Sequence, residues 1–274
     1  MMPTSDFLHG RLGPKNWPVF RLGLAASYRP GERTVRCALD HGVNYLFAFA
    51  IDTNITGVVR GMNADQREKV LLATGGYNWI LGHTSLRKSL DNALRRYKTD
   101  YIDIFHFLGV LKPKEFPPRI QEELNALRAD GKVRATAISC HHRRFAGGLA
   151  ARGAVDALMI RYNAAHPGVE TDIFPHVAAH NTGVISYTAT RWRRLLVRPG
   201  GWPNSEPIAT AGQCYRFVLS NPKVQVALTA PSNERQLLEN LRELERGPLP
   251  EDEMAFLRRF GAYVHDHAGW FMGQ

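Results

Sequence analysis

The side chains best suited to chemistry fall in four places along the chain. Residues 141–144 read His-His-Arg-Arg and follow an apolar run at 133–139. Imidazoles exchange protons near neutrality, and arginines beside them hold anions. His141 is thus a candidate for proton transfer and His142 a candidate substrate contact, on a substrate that would be anionic. A helix start with exposed polar residues would read the same way. Arg161, Tyr162, Asn163 and His166 lie at the end of a second run, 155–163, where Asn163 could bond a ligand amide. Thr188, Arg191 and Trp192 end a third run, 183–190. An arginine beside an indole can hold a planar anion, which makes Trp192 a substrate candidate and gives Arg191 a phosphate or carboxylate to bind. Arg193, Arg194 and Arg198 share that loop. His106 stands inside a fourth run, 100–110. His106, His141 and His166 could supply imidazole ligands, but no HxH or HExxH spacing supports a site, and no metal is expected. Cys140 is adjacent to His141, and adjacent strand residues face opposite ways, so it reads as a buried thiol.

Stepping outward from these residues, short apolar strands alternate with amphipathic helices from end to end. Strands are expected at 19–25, 44–50, 69–74, 100–110, 133–139, 155–163, 183–190 and 224–230. Between them lie helical stretches such as 85–97, where Leu86, Leu90 and Leu94 make one stripe. Further helices are expected at 53–63, 171–180, 209–219 and 250–266. Strands apolar throughout suit a parallel sheet covered on both faces. Eight consecutive strand–helix units close most simply into a (β/α)8 TIM barrel. An open doubly wound sheet is the alternative, but no GxGxxG turn follows the first strand. The reading is one α/β domain over residues 1–274, with its site at the C-terminal strand ends, where the reactive residues above already lie.

The 274 residues are 44% hydrophobic and 22% charged, as in an ordinary globular protein. No apolar stretch is long enough for a membrane span, and residues 1–13 lack a signal-peptide core. Three separated cysteines form no disulfide framework, so a cytoplasmic location is expected. The net charge of +10 raises nucleic-acid binding. The basic residues are scattered through helices among acids, however, and a small-molecule substrate fits better.

Seven stretches, in order, resemble the aldo-keto reductase family. They are RLGLAASY (21–28), DHGVNYLF (40–47), SLRKSLDNALRRYKTDYIDIFHF (85–107), ELNALRADGKVRATAIS (123–139), IRYNAAHP (160–167), GVISYTA (183–189) and SNPKVQVALTAPSNERQLLENL (220–241). The resemblance implies an NADP(H)-dependent carbonyl reductase. In such a family a Tyr protonates the carbonyl oxygen, a Lys paired with an Asp lowers the Tyr pKa, and a His orients the carbonyl. Here the Asp position holds Phe47, the Tyr position falls near Asp52, the Lys position is Gly75 and the His position is Leu108.

The resemblance therefore implies a non-standard site. His106, two residues before Leu108, would share its face and could serve if the strand bulged. Asp52, Tyr77 and Tyr45 are replacement candidates. By the same resemblance Ser139 would bond the nicotinamide carboxamide, Tyr187 would stack on the ring, and Gln236, Glu239 and Asn240 would meet the adenosine. Arg191 and Arg235 would meet phosphate, because Ala230-Pro231-Ser232 lacks the usual basic residue. Met159 replaces an amide. Three functions stay open: an NADP(H) oxidoreductase with a changed proton donor, a non-redox isomerase or lyase using His and Arg at the mouth, and a catalytically inactive binding or regulatory protein. Asp103, in the fourth strand, is expected to be structural.

Overall fold

The computed structural model describes residues 7–48, 52–77 and 85–267. Eight parallel strands close into a barrel: β3 (Leu22–Ala25), β4 (Tyr45–Phe47), β5 (Leu71–Tyr77), β6 (Ile102–Val110), β7 (Val133–Cys140), β8 (Ala157–Arg161), β9 (Gly183–Tyr187) and β10 (Val226–Thr229), which pairs back onto β3. The expected (β/α)8 architecture is what the chain adopts. Helices α1 (Glu32–Asp40), α2 (Asn54–Arg60), α3 (Ala64–Glu68), α4 (Leu86–Tyr97), α5 (Pro118–Ala129), α6 (Arg143–Ala151), α7 (Val169–Asp172), α8 (Ala211–Ser220), α9 (Glu234–Glu245) and α10 (Glu251–His267) surround it.

Strand alternation builds two apolar layers. On β8, Leu158 and Ile160 point outward into the helix-covered core, while Ala157 and Met159 point into the barrel. On β9, Val184 faces outward and Ile185 inward. This period of two explains why the strands read as unbroken apolar runs: both faces are buried. Asp103 braces the outside, fully buried on β6. It accepts from the Leu72 backbone at 3.0 Å and pairs with Arg67 and Arg134, so one carboxylate ties β5, β6 and β7 together.

The first predicted strand, 19–25, is two strands. Val19 and Phe20 belong to β2 (Trp17–Phe20), which pairs antiparallel with β1 (His9–Leu12), and β3 begins at Leu22. The break is at Arg21, whose buried guanidinium donates to the carbonyls of Phe7, Leu219 and Val224. The hairpin turns through Gly13 and Asn16, both with positive φ. Leu12 and Val19 plug the lower end of the barrel beside Tyr45, Leu71 and Val226. Residues 171–180 were expected to be helical. They form the end of α7 and then a 3-10 stretch, Phe174–His180, since Pro175 removes a donor from a longer helix. Part of the second predicted strand, 49–50, lies outside the described residues.

Candidate active site

A cavity of about 540 Å³ opens at the C-terminal ends of the strands. Phe47, Leu108, Met159 and Leu228 give it an apolar floor. Ser139, His141, Tyr187 and Tyr77 line its walls, and it runs on to Gln236, Glu239 and Asn240 on α9. Tyr28 and Trp192, both substantially exposed, stand at its rim on the loops after β3 and β9.

Beneath the floor, the position after Ala73-Thr74 is closed to a side chain. A Cβ at Gly75 would lie 2.2 Å from the His106 carbonyl oxygen, so no side chain fits there without moving β6. The bulge that might have turned His106 into the site exists, but it falls beyond that residue. The β6–β7 register shifts between Phe107 and Val110, and Gly109 has φ of +82°. Leu108 and Gly109, nearer the C-terminal end of β6, line the cavity, and His106, one layer deeper, does not. His106 is fully buried, with Nδ1 3.2 Å from the Thr74 carbonyl, its ring edge-on to Phe47 and no partner for Nε2. Burial lowers its pKa to about 4. It is a neutral histidine of the barrel interior.

Asp52 also departs from expectation. Its carboxylate accepts from the backbone of Asn54 and Thr56, so it caps the start of α2 and does not line the cavity. Tyr77 does line it, with burial pushing its hydroxyl up to about 12. Tyr45 is wholly buried beneath.

The best-furnished wall is the top of β7, β8 and β9. Ser139 and His141 alternate on one face of β7 and its end, Met159 and Arg161 on β8, Ile185 and Tyr187 on β9. His141, Arg161 and Tyr187 are thus one layer on three adjacent strands, with Arg161 directly in register with Tyr187. The Tyr187 hydroxyl lies 3.0 Å from His141 Nε2, and the rings meet edge to face. Burial, and then the Arg161 charge, hold the His141 pKa below the usual imidazole value. Burial raises the Tyr187 pKa, against the pull of Arg161. Both groups are neutral at pH 7. A second, water-sized cleft adjoins this wall, lined by His141, Arg143, Arg161 and His166 and by no carboxylate among the described residues.

Other sequence candidates stand elsewhere. His142 is exposed, and its Nδ1 accepts from the Phe145 backbone as the cap of α6. Asn163 is buried and serves the fold: it donates to the Thr188 carbonyl and accepts from Ala165 and from His166 Nδ1. Arg191 is buried with its guanidinium on the Val264 carbonyl of α10, and it does not line the cavity. Arg235 is exposed and pairs with Glu239 at 3.0 Å along α9, also off the cavity. Gln236, Glu239, Asn240, Ser139, Tyr187 and Trp192 line the cavity. Cys140 is buried, with its Sγ 3.5 Å from the His142 carbonyl and its pKa pushed up to about 12. His106, His141 and His166 do not assemble a metal site, and no group of three metal-ligating residues occurs among the described residues. Arg161, singled out in the sequence without an assigned role, stands in this layer two residues after Met159.

The family model of the aldo/keto reductase family matches residues 25–191, from the end of β3 to the loop after β9. The chain belongs to the aldo/keto reductase family. Among solved structures it is similar to an aldo-keto reductase from Bacillus halodurans in its holo form, with 21% identity and a TM-score of 0.75 over 92% of this chain and 95% of that one. It is also similar to an aldo/keto reductase from Klebsiella pneumoniae in complex with NADP and acetate, with 22% identity and a TM-score of 0.73 over 93% and 95%. A Klebsiella pneumoniae aldo-keto reductase in complex with NADPH gives 20% identity and a TM-score of 0.69 over 92% and 95%. A search of curated proteins gives no match. In this aldo/keto reductase Phe47 and Leu108 belong to the apolar cavity floor, and Asp52 caps the start of α2.

Proposed function

We propose that the protein is a nicotinamide-dependent oxidoreductase of small carbonyl or alcohol substrates in which His141, bonded to Tyr187, replaces the usual proton donor. The observation that carries this reading is the open cavity joining Ser139 and Tyr187 at one end to Gln236, Glu239 and Asn240 at the other. A filled mouth or a closed groove would have disfavoured it. The residues fit a dinucleotide: Ser139 can bond a carboxamide, Tyr187 offers an aromatic face, and the side chains of α9 offer polar groups to an adenosine. That related structures are complexes with NADP and NADPH supports a dinucleotide as the cofactor. For the phosphates the cavity offers Arg193 and not Arg191 or Arg235.

A bound nicotinamide would supply or accept the hydride. The chain's own part is to move the matching proton. His141 is the cavity-lining group whose ordinary pKa lies nearest neutrality, and Tyr187 orients it through the 3.0 Å contact. Because burial and Arg161 lower its pKa, His141 is unprotonated at pH 7 and acts as the base for alcohol oxidation. Carbonyl reduction needs the imidazolium, so its kcat/KM rises as pH falls below the usual imidazole range, while oxidation gains above it.

The test is a fluorescence titration of the protein with NADPH and NADH. Saturable binding is expected, weakened by Tyr187→Ala. No binding at millimolar cofactor would overturn the oxidoreductase reading and favour a binding protein built on the family barrel, which the apolar replacements Phe47 and Leu108 would suit. Given binding, His141→Gln should lower turnover about 100-fold or more, with cofactor affinity unchanged.

A further inference from the structure

We infer that the cofactor is NAD(H) and not NADP(H), with Glu239 accepting a hydrogen bond from the 2′-hydroxyl of the adenosine ribose where a 2′-phosphate would be repelled. This inference rests on the function proposed above and names the cofactor of that same site.

The adenosine end of the cavity is built by the start of α9 and the turn before it. Ser232, Gln236, Glu239 and Asn240 line it, so it carries a carboxylate and no cation. The turn itself, Ala230-Pro231-Ser232, has no basic side chain. Arg193 is the only lysine or arginine among the described residues that line the cavity, and it stands on the loop after β9. Assigned above to the phosphates, it would meet the pyrophosphate that both dinucleotides carry and would not tell them apart. The donors that a further phosphate would seek near α9 are already engaged. Asn233 Oδ1 accepts from the Gln236 amide at 3.0 Å, and Gln236 Oε1 accepts from the Ser232 amide at 2.9 Å. The helix start that could attract an anion is thus capped by the chain's own oxygens. Asn240 Nδ2 donates to Thr229 Oγ1 at 3.2 Å. Two nearby arginines are held by carboxylates: Arg33 of α1 pairs with Glu234 at 2.7 Å, and Arg235 pairs with Glu239 Oε1 at 3.0 Å without lining the cavity. The bond from Arg235 leaves the Glu239 carboxylate with acceptor capacity, because its two oxygens together offer about four lone-pair sites. A wall rich in acceptors suits a ribose diol, whose hydroxyls donate. It disfavours a phosphate of nearly two negative charges, which needs donors and would face a like charge. The same choice, a carboxylate for the 2′-hydroxyl or an arginine for the 2′-phosphate, separates NAD from NADP sites on doubly wound α/β folds.

The experiment titrates the wild-type protein with NADH and with NADPH, read by cofactor fluorescence. Calorimetry with 5′-AMP and adenosine 2′,5′-bisphosphate, which differ only in the 2′-phosphate, probes the adenosine end by itself. NADH should bind about tenfold or more tightly than NADPH, and 5′-AMP should bind more tightly than the bisphosphate. Glu239→Gln, at an exposed helix position, keeps the side-chain shape and removes the charge. It should reduce the preference for NADH about fivefold or more. Ser232→Arg supplies a cation at the same end and should tighten NADPH about tenfold while leaving NADH unchanged. Circular dichroism establishes that each variant is folded. Equal binding of the two dinucleotides by the wild type, or tighter binding of NADPH, overturns this inference and leaves the oxidoreductase reading standing. A preference for NADH that Glu239→Gln leaves unchanged overturns the role of Glu239. Binding of neither dinucleotide at millimolar concentration overturns the reading beneath, and this inference falls with it.

Discussion

At Gly75 a side chain of any size would meet the backbone of the neighbouring strand, since the built Cβ sits 2.2 Å from the carbonyl oxygen of His106. A lysine there would have no room, because the strand pair has closed over the space. Gly75→Ala should lower the unfolding free energy by about 2–3 kcal/mol, measured by urea denaturation, and Gly75→Lys by more. His106 gives a second residue-scale expectation. Its folded pKa of about 4 lies below the ordinary 6.5, so the unfolded chain binds the extra proton between those values. Stability is therefore full above pH 6.5 and falls as pH drops toward 4, by roughly 3 kcal/mol for this residue. His166, held near 3 by burial and its basic neighbours, adds a loss in the same direction. His106→Leu should flatten part of the slope in a series of denaturation curves between pH 7 and 4. An unchanged slope would mean that His106 is not buried neutral. His106 and Leu108 share the inner face of β6, and their different depths in the barrel put one in its packed interior and the other on the cavity floor.

Elements, in turn, hold the candidate wall in place. The tops of β7, β8 and β9 bring His141, Arg161 and Tyr187 into one layer, and the loop after β9 is braced from behind by α10. That bracing depends on close approach. A Cβ on Gly261 would lie 2.3 Å from the backbone of Ala164, and one turn later the Val264 carbonyl receives the Arg191 guanidinium. Gly261→Ala should push α10 off the barrel, lower Tm by several degrees and expose the C-terminal helix to limited proteolysis, without a change in the His141–Tyr187 pair. The cap on α2 offers a contrasting case. Asp52→Ala should cost about 1 kcal/mol in thermal or chemical denaturation and leave turnover per folded molecule unchanged, because its carboxylate serves two backbone amides and not the cavity. A large loss of kcat in that variant would return Asp52 to the chemistry. Arg191, Thr188, Trp192 and Arg193 all have positive φ, so the loop after β9 is held in an uncommon left-handed conformation by its neighbours. Asn163, through its bond to the Thr188 carbonyl, is one of them.

For the whole molecule, the barrel makes binding and stability one equilibrium. A ligand that bridges Ser139 on β7, Tyr187 on β9 and Asn240 on α9 touches elements from separate parts of the chain. Saturation with NADPH at about 100 times its Kd should add about 2.7 kcal/mol to stability and raise Tm accordingly in a thermal-shift series. No shift would count against the cavity as a cofactor site. Among the described residues no helix is long and apolar enough to cross a membrane.

The order of the strands, the helices between them and the closed barrel were legible in the sequence alone. They follow from local periodicity, since each strand is apolar on both faces and each helix apolar on one, and eight such units in series have few ways to bury those faces. The identity of the residues at the strand ends was equally plain. What only the tertiary structure decided is which of those residues share a space. His142 and Asp52 became helix caps, Asn163 and Arg191 turned into the packing behind the loop, Arg235 stayed on the outside of α9, and Arg161 joined His141 and Tyr187. The two caps and the Arg235–Glu239 pair are local contacts, whereas Asn163, Arg191 and Arg161 take their places through strand register and contacts between segments far apart in the chain, where neither propensity nor spacing carries information.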